Sequence, residues 1–315
     1  MTDLAVAGHY PVMLNEAIEG LAIKADGTYI DVTYGRGGHS QAILSQLGSA
    51  GRLLAFDRDI AAVADARERM ADESRFEIIH SVFSNLADVV GQHGLLGKVD
   101  GLLCDFGVSS PQIDSAERGF SFRADGPLDM RMDQSQGQSV AQWLQDAQES
   151  EIAQVLREFG EERYARRIAR AIIARRKEAP LATTAELRQL VVTASPKQER
   201  HKDPATRSFQ ALRIQVNDEL GEIKRLLEQA LSVLAPAGRL VVISFHSLED
   251  RIVKCLMRQH SSQVDDLPHD IPFAAPAKPN QLKLVAKARS ASQRELDENP
   301  RSRSAMLRIA ERCPC

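Results

Sequence analysis

Four short apolar runs alternate with stretches of helical character in the first 106 residues, and this alternation constrains the fold more than any other feature. Strands separated by helical segments of ten or more residues form right-handed βαβ units. Such units build a parallel sheet whose two faces are both covered by helices. The sequence therefore predicts an α/β domain with parallel strands at residues 29–32, 52–57, 76–80 and 100–106.

The alternation stops after the fourth predicted strand and resumes only near residue 216. The intervening part shows no strand pattern, and helices are predicted at 140–144, 151–159, 164–176 and 185–192. Beyond it, the pattern predicts a helix over 216–234 that ends at Pro236, Ala237 and Gly238, then a fifth strand at 239–245. A last strand at 304–311 is expected to pair antiparallel with residues 282–286.

We therefore predict an α/β domain that is interrupted by an all-helical domain. Residues 1–112 and 214–315 form the two parts of the α/β domain, and residues 113–213 form the insertion. Two consecutive domains are the alternative. That arrangement would leave the first domain with a four-stranded sheet and an unprotected edge strand, which natural proteins avoid.

Composition and charge indicate a globular protein rather than a polycation or a membrane protein. The net charge is −3, and no apolar run approaches the roughly 18–20 residues of a membrane span. We therefore expect a soluble, cytoplasmic protein without a membrane partner, and a homodimer is one option for its assembly. The four cysteines do not suggest a disulfide framework, and Cys313 and Cys315 are interpreted as a frayed tail, so no metal site is predicted. Residues 265–280 are expected to form a Pro-rich loop.

A glycine-rich turn follows the first predicted strand and is the first candidate binding site. Its glycines, Gly35, Gly37 and Gly38, have the spacing G-x-G-G, which differs from the G-x-G-x-x-G of dinucleotide-binding loops. The spacing suits a ligand with an amino-acid tail and no phosphate. We expect Asp31 to face a cationic group of that ligand while Gly37, Gly38 and His39 surround a methionine moiety. A turn that binds nothing is the alternative.

Further carboxylates stand where the following strands end. Asp57 ends the second predicted strand, where a carboxylate can accept both hydroxyls of a ribose, a feature that NAD enzymes share. Asp105 ends the fourth strand and is expected at the same rim as Asp31 and Asp57. Phe83, after the third strand, is a candidate for stacking on adenine, with a core aromatic as the alternative.

The run after the fourth strand is the candidate reaction site. Amino-group methyltransferases carry a short polar-Pro motif at this position, and here the run contains Ser109, Ser110 and Pro111. Hydrogen-bond acceptors for both N–H bonds of an amino group favour the pyramidal nitrogen that attacks a methyl carbon. The catalytic candidates are Asp105, Ser109, Ser110 and Pro111, and the candidate stacking partners of the substrate are Phe120 and Phe122.

Two further points concern the chemistry. His246 follows the fifth strand and is a candidate base or, alternatively, a positioning residue, while Ser247 and Asp250 fit a helix N-terminus. A dedicated base is not required, because a methylated amino cation loses its proton readily to water. Carbon-5 methylation of cytosine is disfavoured because it needs a cysteine nucleophile, and the only Pro-Cys pair ends the chain.

One segment concentrates positive charge. Residues 163–177 contain seven basic side chains and no acidic one. Tyr164, Ile168 and Ile172 recur at helical spacing and are expected to pack inward, with the arginines facing outward. A solvated helix surface is the usual explanation, but beside a base-binding pocket we favour phosphate contact. The candidates are Arg166, Arg167 and Arg170.

Taken together, longer segments closely resemble the bacterial small-subunit ribosomal RNA cytosine-N4 methyltransferases, the family known as RsmH or MraW. The resemblance covers nearly the whole chain. Its motifs are GHYPVML at 8–14, GRGGHS at 35–40, DFGVSSPQ at 105–112, RGFSFRADGPLDMRMD at 118–133, DPATRSFQALRI at 203–214, ISFHSLEDR at 243–251 and NPRSRSAMLRIAER at 299–312. Phe106 stands where an aliphatic Leu is commoner in the family.

The resemblance implies a Rossmann-like methyltransferase domain with an inserted helical domain, S-adenosylmethionine as methyl donor, and a cytidine near the decoding site of the small ribosomal subunit as substrate. The implied cofactor contacts are Gly37, Gly38, His39, Asp57, Phe83, Asp105 and Gln112. Cytidine placement is assigned by motif position to Asp129, Arg131, Asp133 and His246. The alternatives are methylation of another amino nitrogen (adenine N6 or a protein side chain), an NAD-dependent oxidoreductase, and a non-catalytic RNA-binding assembly factor.

Overall fold

The computed structural model describes residues 10–196, 203–261 and 280–314. The chain divides into a sheet unit, which ends at Gly107 and resumes at Leu220, and a helical unit formed by Val108–Glu219. These limits lie outside the predicted limits of the insertion, 113 and 213. The second limit lies beyond 213 because α10 continues to Asn217, whose Nδ2 donates to the carbonyl oxygen of Met130 within the helical unit.

The sheet unit contains one mixed sheet. Among the described residues its order is β3-β2-β1-β4-β5-β8-β6, with β7 also paired to β8. Strands β1 to β5 run parallel, whereas β8 is antiparallel to β5, β6 and β7. The strands are β1 Thr28–Asp31, β2 Arg52–Asp57, β3 Phe76–His80, β4 Val99–Asp105, β5 Leu234–Ser244, β6 Leu282–Leu284, β7 Arg289–Ser290 and β8 Met306–Arg312.

The fifth strand departs from its prediction. It begins at Leu234, so Pro236, Ala237 and Gly238 lie within the strand instead of ending a helix. Leu234 pairs with Val99, and the next pair is Arg239 with Gly101, so the residues between them bulge out of the ladder. Ala237 has a φ of 63°, as a bulge of this kind requires.

The helices flank the sheet in one unit and make up most of the other. They are α1 Leu14–Leu21, α2 Gly38–Leu44, α3 Ile60–Arg69, α4 Leu86–Gln92, α5 Ser110–Asp114, α6 Val140–Asp146, α7 Glu149–Gly160, α8 Ala165–Glu178, α9 Thr184–Ala194, α10 Ala205–Asn217, α11 Glu219–Val233, α12 Ser247–Ser261 and α13 Gln293–Glu298, with 3-10 turns at Phe83–Asn85, Ala116–Arg118 and Pro300–Ser304. Within the described parts of the chain, none of these helices is long and apolar enough to cross a bilayer. The predicted loop at 265–280 lies outside the described residues, except for Asn280.

Both faces of the sheet are buried, as expected for parallel strands. On one face, Leu102 and Val242 pack with Leu227 of α11. On the other face, Tyr29 and Val241 belong to a second cluster with α1 and α2. The sequence prediction of a sheet covered on both sides is confirmed.

The helical unit contains the predicted helices of the insertion, with one correction. The expected continuous helix over 216–234 is wrong, because Asp218 has a φ of 48° and separates α10 from α11. Aspartate tolerates this left-handed conformation, so an apolar pattern can continue across a break that it does not reveal. In the helical unit, an isolated antiparallel β-bridge joins Pro127 to Thr183.

Burial in the sheet unit predicts which leucine side chains contribute to the free energy of unfolding. Leu227 is fully buried, whereas Leu96 is 49% exposed. We expect Leu227→Ala to lower the free energy of unfolding by about 2–5 kcal/mol, because it leaves a cavity. Leu96→Ala should change it by less than about 0.5 kcal/mol. Urea denaturation of both variants measures the difference, and equal decreases would contradict the assigned packing.

Candidate active site

Three carboxylates lie at one edge of the sheet. Strands β2, β1 and β4 are parallel neighbours, so their carboxyl ends meet at the same rim. Asp31 ends β1 and is level with Ala55 and Leu103. Asp57 and Asp105 therefore each stand two residues beyond Asp31 along the adjacent strands. This rim is where ligands of open α/β sheets bind.

Asp31 is the innermost of the three carboxylates. It is 1% exposed. Its Oδ2 accepts a hydrogen bond from Ser40 Oγ at 2.7 Å, and its Oδ1 accepts from the backbone N–H of Thr33 at 3.1 Å. The predicted direct contact with a cationic ligand group does not fit this geometry. The carboxylate instead holds the glycine-rich turn in place.

Two residues that were not predicted, Thr33 and Ser40, organise the rim. The hydroxyl of Thr33 accepts a hydrogen bond from the backbone N–H of Asp105 at 2.7 Å and lies 3.4 Å from Asp31 Oδ1. Thr33 therefore joins the ends of β1 and β4. Ser40 is completely buried beside Asp31. The sequence feature that could have indicated Thr33 and Ser40 is that both are short polar residues flanking the glycines.

Asp57 binds the turn through backbone groups. Its Oδ2 accepts from the N–H of Gly35 at 2.8 Å, and its Oδ1 accepts from the N–H of Asp59 at 2.8 Å. Burial raises the pKa of Asp57 to about 6, although these hydrogen bonds oppose the shift. Each oxygen keeps a lone pair, so the ionised group can still accept from a ligand hydroxyl.

The glycines of the turn are required for steric reasons at two positions. Gly37 has a φ of 74°, and a Cβ there would lie 2.5 Å from Tyr34 Oη. A Cβ on Gly38 would lie 2.2 Å from Pro11 Cγ. The turn is therefore packed between Tyr34 and Pro11, and only glycine lets the backbone occupy this space.

Asp105 and His39 face each other across the rim. His39 Nδ1 lies 3.6 Å from Asp105 Oδ2, and His39 Nε2 lies 3.1 Å from the carbonyl oxygen of Val12. Asp105 Oδ1 is buried and has no hydrogen-bond partner among the described residues. Burial raises the pKa of Asp105 well above its usual range, with Asp31 adding repulsion, and burial lowers the pKa of His39.

The rim is therefore short of positive charge. Burial also raises the pKa of Asp31, against the opposing influence of His39. In the described parts of the chain, neither Lys nor Arg forms an ion pair with Asp31, Asp57 or Asp105. A cationic ligand would stabilise the ionised form of these carboxyl groups. The arrangement fits a ligand that carries positive charge.

Phe83 occupies a position between core and rim. Its ring centroid lies 5.8 Å from that of Phe106, at an interplanar angle of 41°. Phe83 is half-buried and packs against the sheet core, whereas Phe106 is 3% exposed. The aromatic residue at position 106 thus supports the Phe83 ring, and the partial exposure of Phe83 leaves room for a ligand contact.

His246 lies beside Glu249, whose backbone N–H donates to its Nδ1, while Nε2 has no hydrogen-bond partner among the described residues. Its Nε2 lies 3.1 Å from Glu249 Oε1, and its Nδ1 lies 3.4 Å from the N–H of Glu249. Glu249 Oε2 also accepts from the N–H groups of Phe245 and His246, so it caps α12. The predicted helix N-terminus is confirmed, because α12 begins at Ser247 with Asp250 in its first turn, where Asp250 forms a two-bond ion pair with Arg308. This geometry favours a positioning role for His246 over a role as base.

The predicted reaction run belongs to the helical unit and starts its first helix. Pro111 lies in the first turn of α5, and the N–H of Ser109 donates to Gln112 Oε1 at 3.0 Å. Gln112 is 5% exposed. In this structure Gln112 therefore stabilises the run that contains Ser109 and Ser110.

The loop between α5 and α6 holds three of the four residues assigned to cytidine placement, Asp129, Arg131 and Asp133. Asp129 and Arg131 form a two-bond ion pair, with distances of 2.7 and 2.9 Å. Burial acts to raise the pKa of Asp129, but the hydrogen bonds from Arg131 outweigh it and lower the pKa. Asp133 is 3% exposed and accepts from Ser135 and Gln136. These charges brace the loop itself.

The two candidate stacking aromatics have different surroundings within the helical unit. Phe122 packs edge-on against Phe209, with ring centroids 4.9 Å apart. Phe120 has the guanidinium of Arg118 5.8 Å from its ring centroid. Both rings are half-buried against the unit's core. Phe122 therefore has a structural role that the sequence analysis did not foresee.

The basic segment is divided between surface and structure. Ile168 and Ile172 on α8 are fully buried, while Arg166, Arg167 and Arg170 are exposed. Arg176 instead donates to the carbonyl oxygens of Leu144 and Ala147 at 2.7 Å, and Arg175 binds the Ala179 carbonyl and Glu186. The expectation that all of these arginines face outward is therefore wrong for the last turn.

Comparisons with known proteins identify relatives along nearly the whole chain. The model of the MraW methylase family matches residues 6–313. A curated relative from Thioalkalivibrio sulfidiphilus, named ribosomal RNA small subunit methyltransferase H, is 54% identical over 313 residues, covering 99% of each chain. An rRNA methylase structure from Streptococcus thermophilus covers 96% of this chain and 94% of its own, with 10% identity and a TM-score of 0.42. A SAM-dependent methyltransferase structure from Aquifex aeolicus covers 95% and 89%, with 10% identity and a TM-score of 0.41.

The packing of the glycine turn predicts a binding defect. In Gly38→Ala, the new Cβ collides with the Pro11 ring. This collision must displace the turn. We expect the affinity for S-adenosylhomocysteine, measured by isothermal titration, to fall about tenfold, because overpacking costs about 1–3 kcal/mol. Gly91→Ala is the matched control, since its Cβ would meet Leu96 Cδ1 at an ordinary 3.5 Å. Unchanged affinity in Gly38→Ala would show that the turn is not part of the binding site.

The pKa of Asp57 predicts how binding depends on pH. A ribose hydroxyl donates to the ionised carboxylate, and protonation removes this acceptor. Because the pKa of Asp57 in the free protein is about 6, the contribution of Asp57 to the affinity for S-adenosylhomocysteine should be constant above that pH. Below it, affinity should fall about tenfold for each pH unit. Asp57→Asn should bind weakly and lack this decrease near pH 6, and the absence of the decrease in the unaltered protein would contradict the assignment.

Proposed function

Since the chain belongs to the MraW methylase family, we propose that it methylates the exocyclic N4 of a cytidine in small-subunit ribosomal RNA, near the decoding site, with S-adenosylmethionine as methyl donor. The observation that carries the proposal is the partly buried acidic rim, where Asp105 Oδ1 is buried and without a hydrogen-bond partner among the described residues. The name of the curated relative supports the choice of RNA. This substrate would place the protein in the cytoplasm with the assembling subunit.

The residues at the rim fit S-adenosylmethionine. When bound, this group supplies a methyl carbon on a positively charged sulfur. Asp105 would face the cationic part, and Asp57 would accept the ribose hydroxyls. Gly35, Gly37, Gly38 and His39 would surround the amino-acid part, because they belong to the turn and helix start that follow β1 at this rim. Phe83 would lie on the adenine, and Gln112 would be a further contact of S-adenosylmethionine.

The run after β4 would hold the reacting amino group. The lone pair of cytosine N4 is delocalised into the ring, so the nitrogen must become pyramidal before it can attack. The hydroxyls of Ser109 and Ser110, and the carbonyl preceding Pro111, can accept its two N–H bonds. Because the side chain of Gln112 accepts from the N–H of Ser109 at the start of α5, these acceptors are held before a substrate arrives, and preorganised acceptors lower the barrier to attack.

The proton released by the methylated amine does not need a dedicated base. Nδ1 of His246 accepts from the backbone N–H of Glu249, which leaves the ring proton on Nε2 and no lone pair to take up another proton, so we assign His246 a positioning role. The loop that contains Asp129, Arg131 and Asp133 would shape the cytidine site through its internal ion pair. Phe120 and Phe122 are the proposed aromatic contacts of the base.

The exposed arginines of α8 are the proposed contacts for RNA phosphates. Arg166 and Arg167 are exposed without a described ion pair. Arg170 lies 3.9 Å from Glu149, and both side chains are largely in solvent, so this pair is weak and can be exchanged for a phosphate. Arginine suits this role because its planar guanidinium binds phosphate through two hydrogen bonds.

A methyl-transfer experiment tests the reaction. The protein is incubated with labelled S-adenosylmethionine and small subunits from cells that lack the modification, and the RNA is digested to nucleosides. We expect label in N4-methylcytidine, and Asp105→Ala should abolish it while Asp88→Asn, an exposed change on α4, should not. Label in N6-methyladenosine or in protein would reject the cytosine assignment. Full cellular function of Asp105→Ala without the methyl mark would favour the assembly factor.

A salt titration tests the RNA surface. We expect the double variant Arg167→Ala/Arg170→Ala to bind small-subunit RNA more weakly. The slope of log K against log salt should decrease by about 0.7 for each RNA phosphate that an arginine no longer neutralises. Lys254→Ala/Arg258→Ala removes the same charge from the exposed face of α12 and is the control. Equal effects of the two double variants would show that only net charge matters.

A further inference from the structure

Two sequence motifs at opposite ends of the chain have no role in the reaction described above. They are YPVM, at residues 10–13, and the segment around Asn299 that begins the NPRSRSAMLRIAER motif. The structure brings them together within the sheet unit. Two hydrogen bonds join them, and each connects residues more than 280 positions apart.

The two hydrogen bonds hold both ends of the N-terminal segment. Glu295 on α13 accepts from the backbone N–H of Met13 at 2.6 Å, in a buried position. Asn299, which follows α13, donates from its Nδ2 to the carbonyl oxygen of Tyr10 at 3.0 Å. Asn299 therefore anchors the start of the segment, and Glu295 anchors its end.

The anchored segment touches the glycine turn at two points between the anchors. The carbonyl oxygen of Val12 lies 3.1 Å from His39 Nε2. The ring of Pro11 covers Gly38, where no Cβ would fit. The position of the N-terminal segment therefore decides where His39 and the turn can lie.

The segment needs an external anchor because its end is strained. Met13 has a φ of 51° and a ψ of 38°, a left-handed conformation that is unfavourable for a residue other than glycine or asparagine. Its N–H lies at the start of α1, where no side-chain cap from Met13 itself is present. A buried carboxylate that accepts from this N–H stabilises the strained turn.

We propose that Glu295 and Asn299 are positioning residues for the cofactor site, which they shape by holding residues 10–13 against His39 and Gly38. The inference rests on the proposed function only in that the glycine turn binds the methyl donor. A carbonyl oxygen can only accept, so Val12 fixes the proton of His39 on Nε2. The other ring nitrogen is then directed at Asp105. A change on α13 would thus reach the rim through Met13, Val12 and His39.

The test uses conservative and disruptive variants on one helix. Glu295→Ala removes the acceptor, whereas Glu295→Gln keeps an Oε1 that can accept from the Met13 N–H. Glu298→Ala is the matched control, because Glu298 is exposed and pairs only with exposed Arg294 in the described structure. Glu295→Ala should raise the KM for S-adenosylmethionine and the Kd for S-adenosylhomocysteine about tenfold, leaving kcat and the KM for RNA nearly unchanged. Glu295→Gln should restore both constants.

A spectroscopic readout separates positioning from a general loss of stability. The Nε2–H proton of His39, observed by NMR, should shift or exchange faster in Glu295→Ala and return to its original position in Glu295→Gln. If Glu295→Ala does not fold, the variant Asn299→Asp tests the same positioning role. This change removes the donor to Tyr10 but keeps the Oδ1 that accepts from Arg301. It should give the same increase in Kd.

The outcomes distinguish this inference from the proposed function. A folded Glu295→Ala variant with unchanged Kd and an unchanged His39 signal would overturn the positioning role, as would a change confined to the KM for RNA. If the unaltered protein binds S-adenosylhomocysteine but transfers no methyl group to cytidine, the proposed reaction fails and the positioning role stands on binding alone. Absence of binding by the unaltered protein would reject both.

Discussion

Burial of carboxyl groups at the carboxyl ends of β1, β2 and β4 is the interaction on which the rest of the site depends. Asp31, Asp57 and Asp105 are brought together by strand order, and burial raises the pKa of each. Such a cluster of ionised carboxylates is unfavourable without a positive partner, so the site favours binding of a cationic ligand. Thr33 and Ser40 distribute hydrogen bonds so that Asp31 becomes structural while Asp105 keeps an oxygen available.

Polar groups elsewhere follow the same division between bracing and binding. In the helical unit, Asp129, Arg131 and Arg176 satisfy one another or backbone carbonyls, which fixes loop shape. In the sheet unit, Glu249 and Glu295 accept from backbone N–H groups at the starts of α12 and α1. Some charged side chains, such as Arg166 and Arg167 on α8, remain exposed and form no described ion pair. They suit a polyanionic substrate.

Much of this could be predicted from the sequence, because strand order follows from alternating patterns and because carboxylates at strand ends meet on one rim. The break at Asp218 could not, since an apolar stripe continues across it. Nor could the bulge at 235–238, where a turn-like Pro-Ala-Gly lies inside a strand. The inward role of Asp31, the capping by Glu249 and the link from Glu295 to Met13 depend on tertiary contacts that spacing does not encode.

Proton release on binding tests the central claim most directly. At pH 6, Asp57 is partly protonated in the free protein, because burial raises its pKa to about 6. Calorimetry of S-adenosylmethionine binding in buffers with different ionisation enthalpies counts the protons exchanged. A cationic ligand held by these carboxylates must release protons, and Asp57→Asn must release fewer. Binding without proton release, or with proton uptake, would contradict the account.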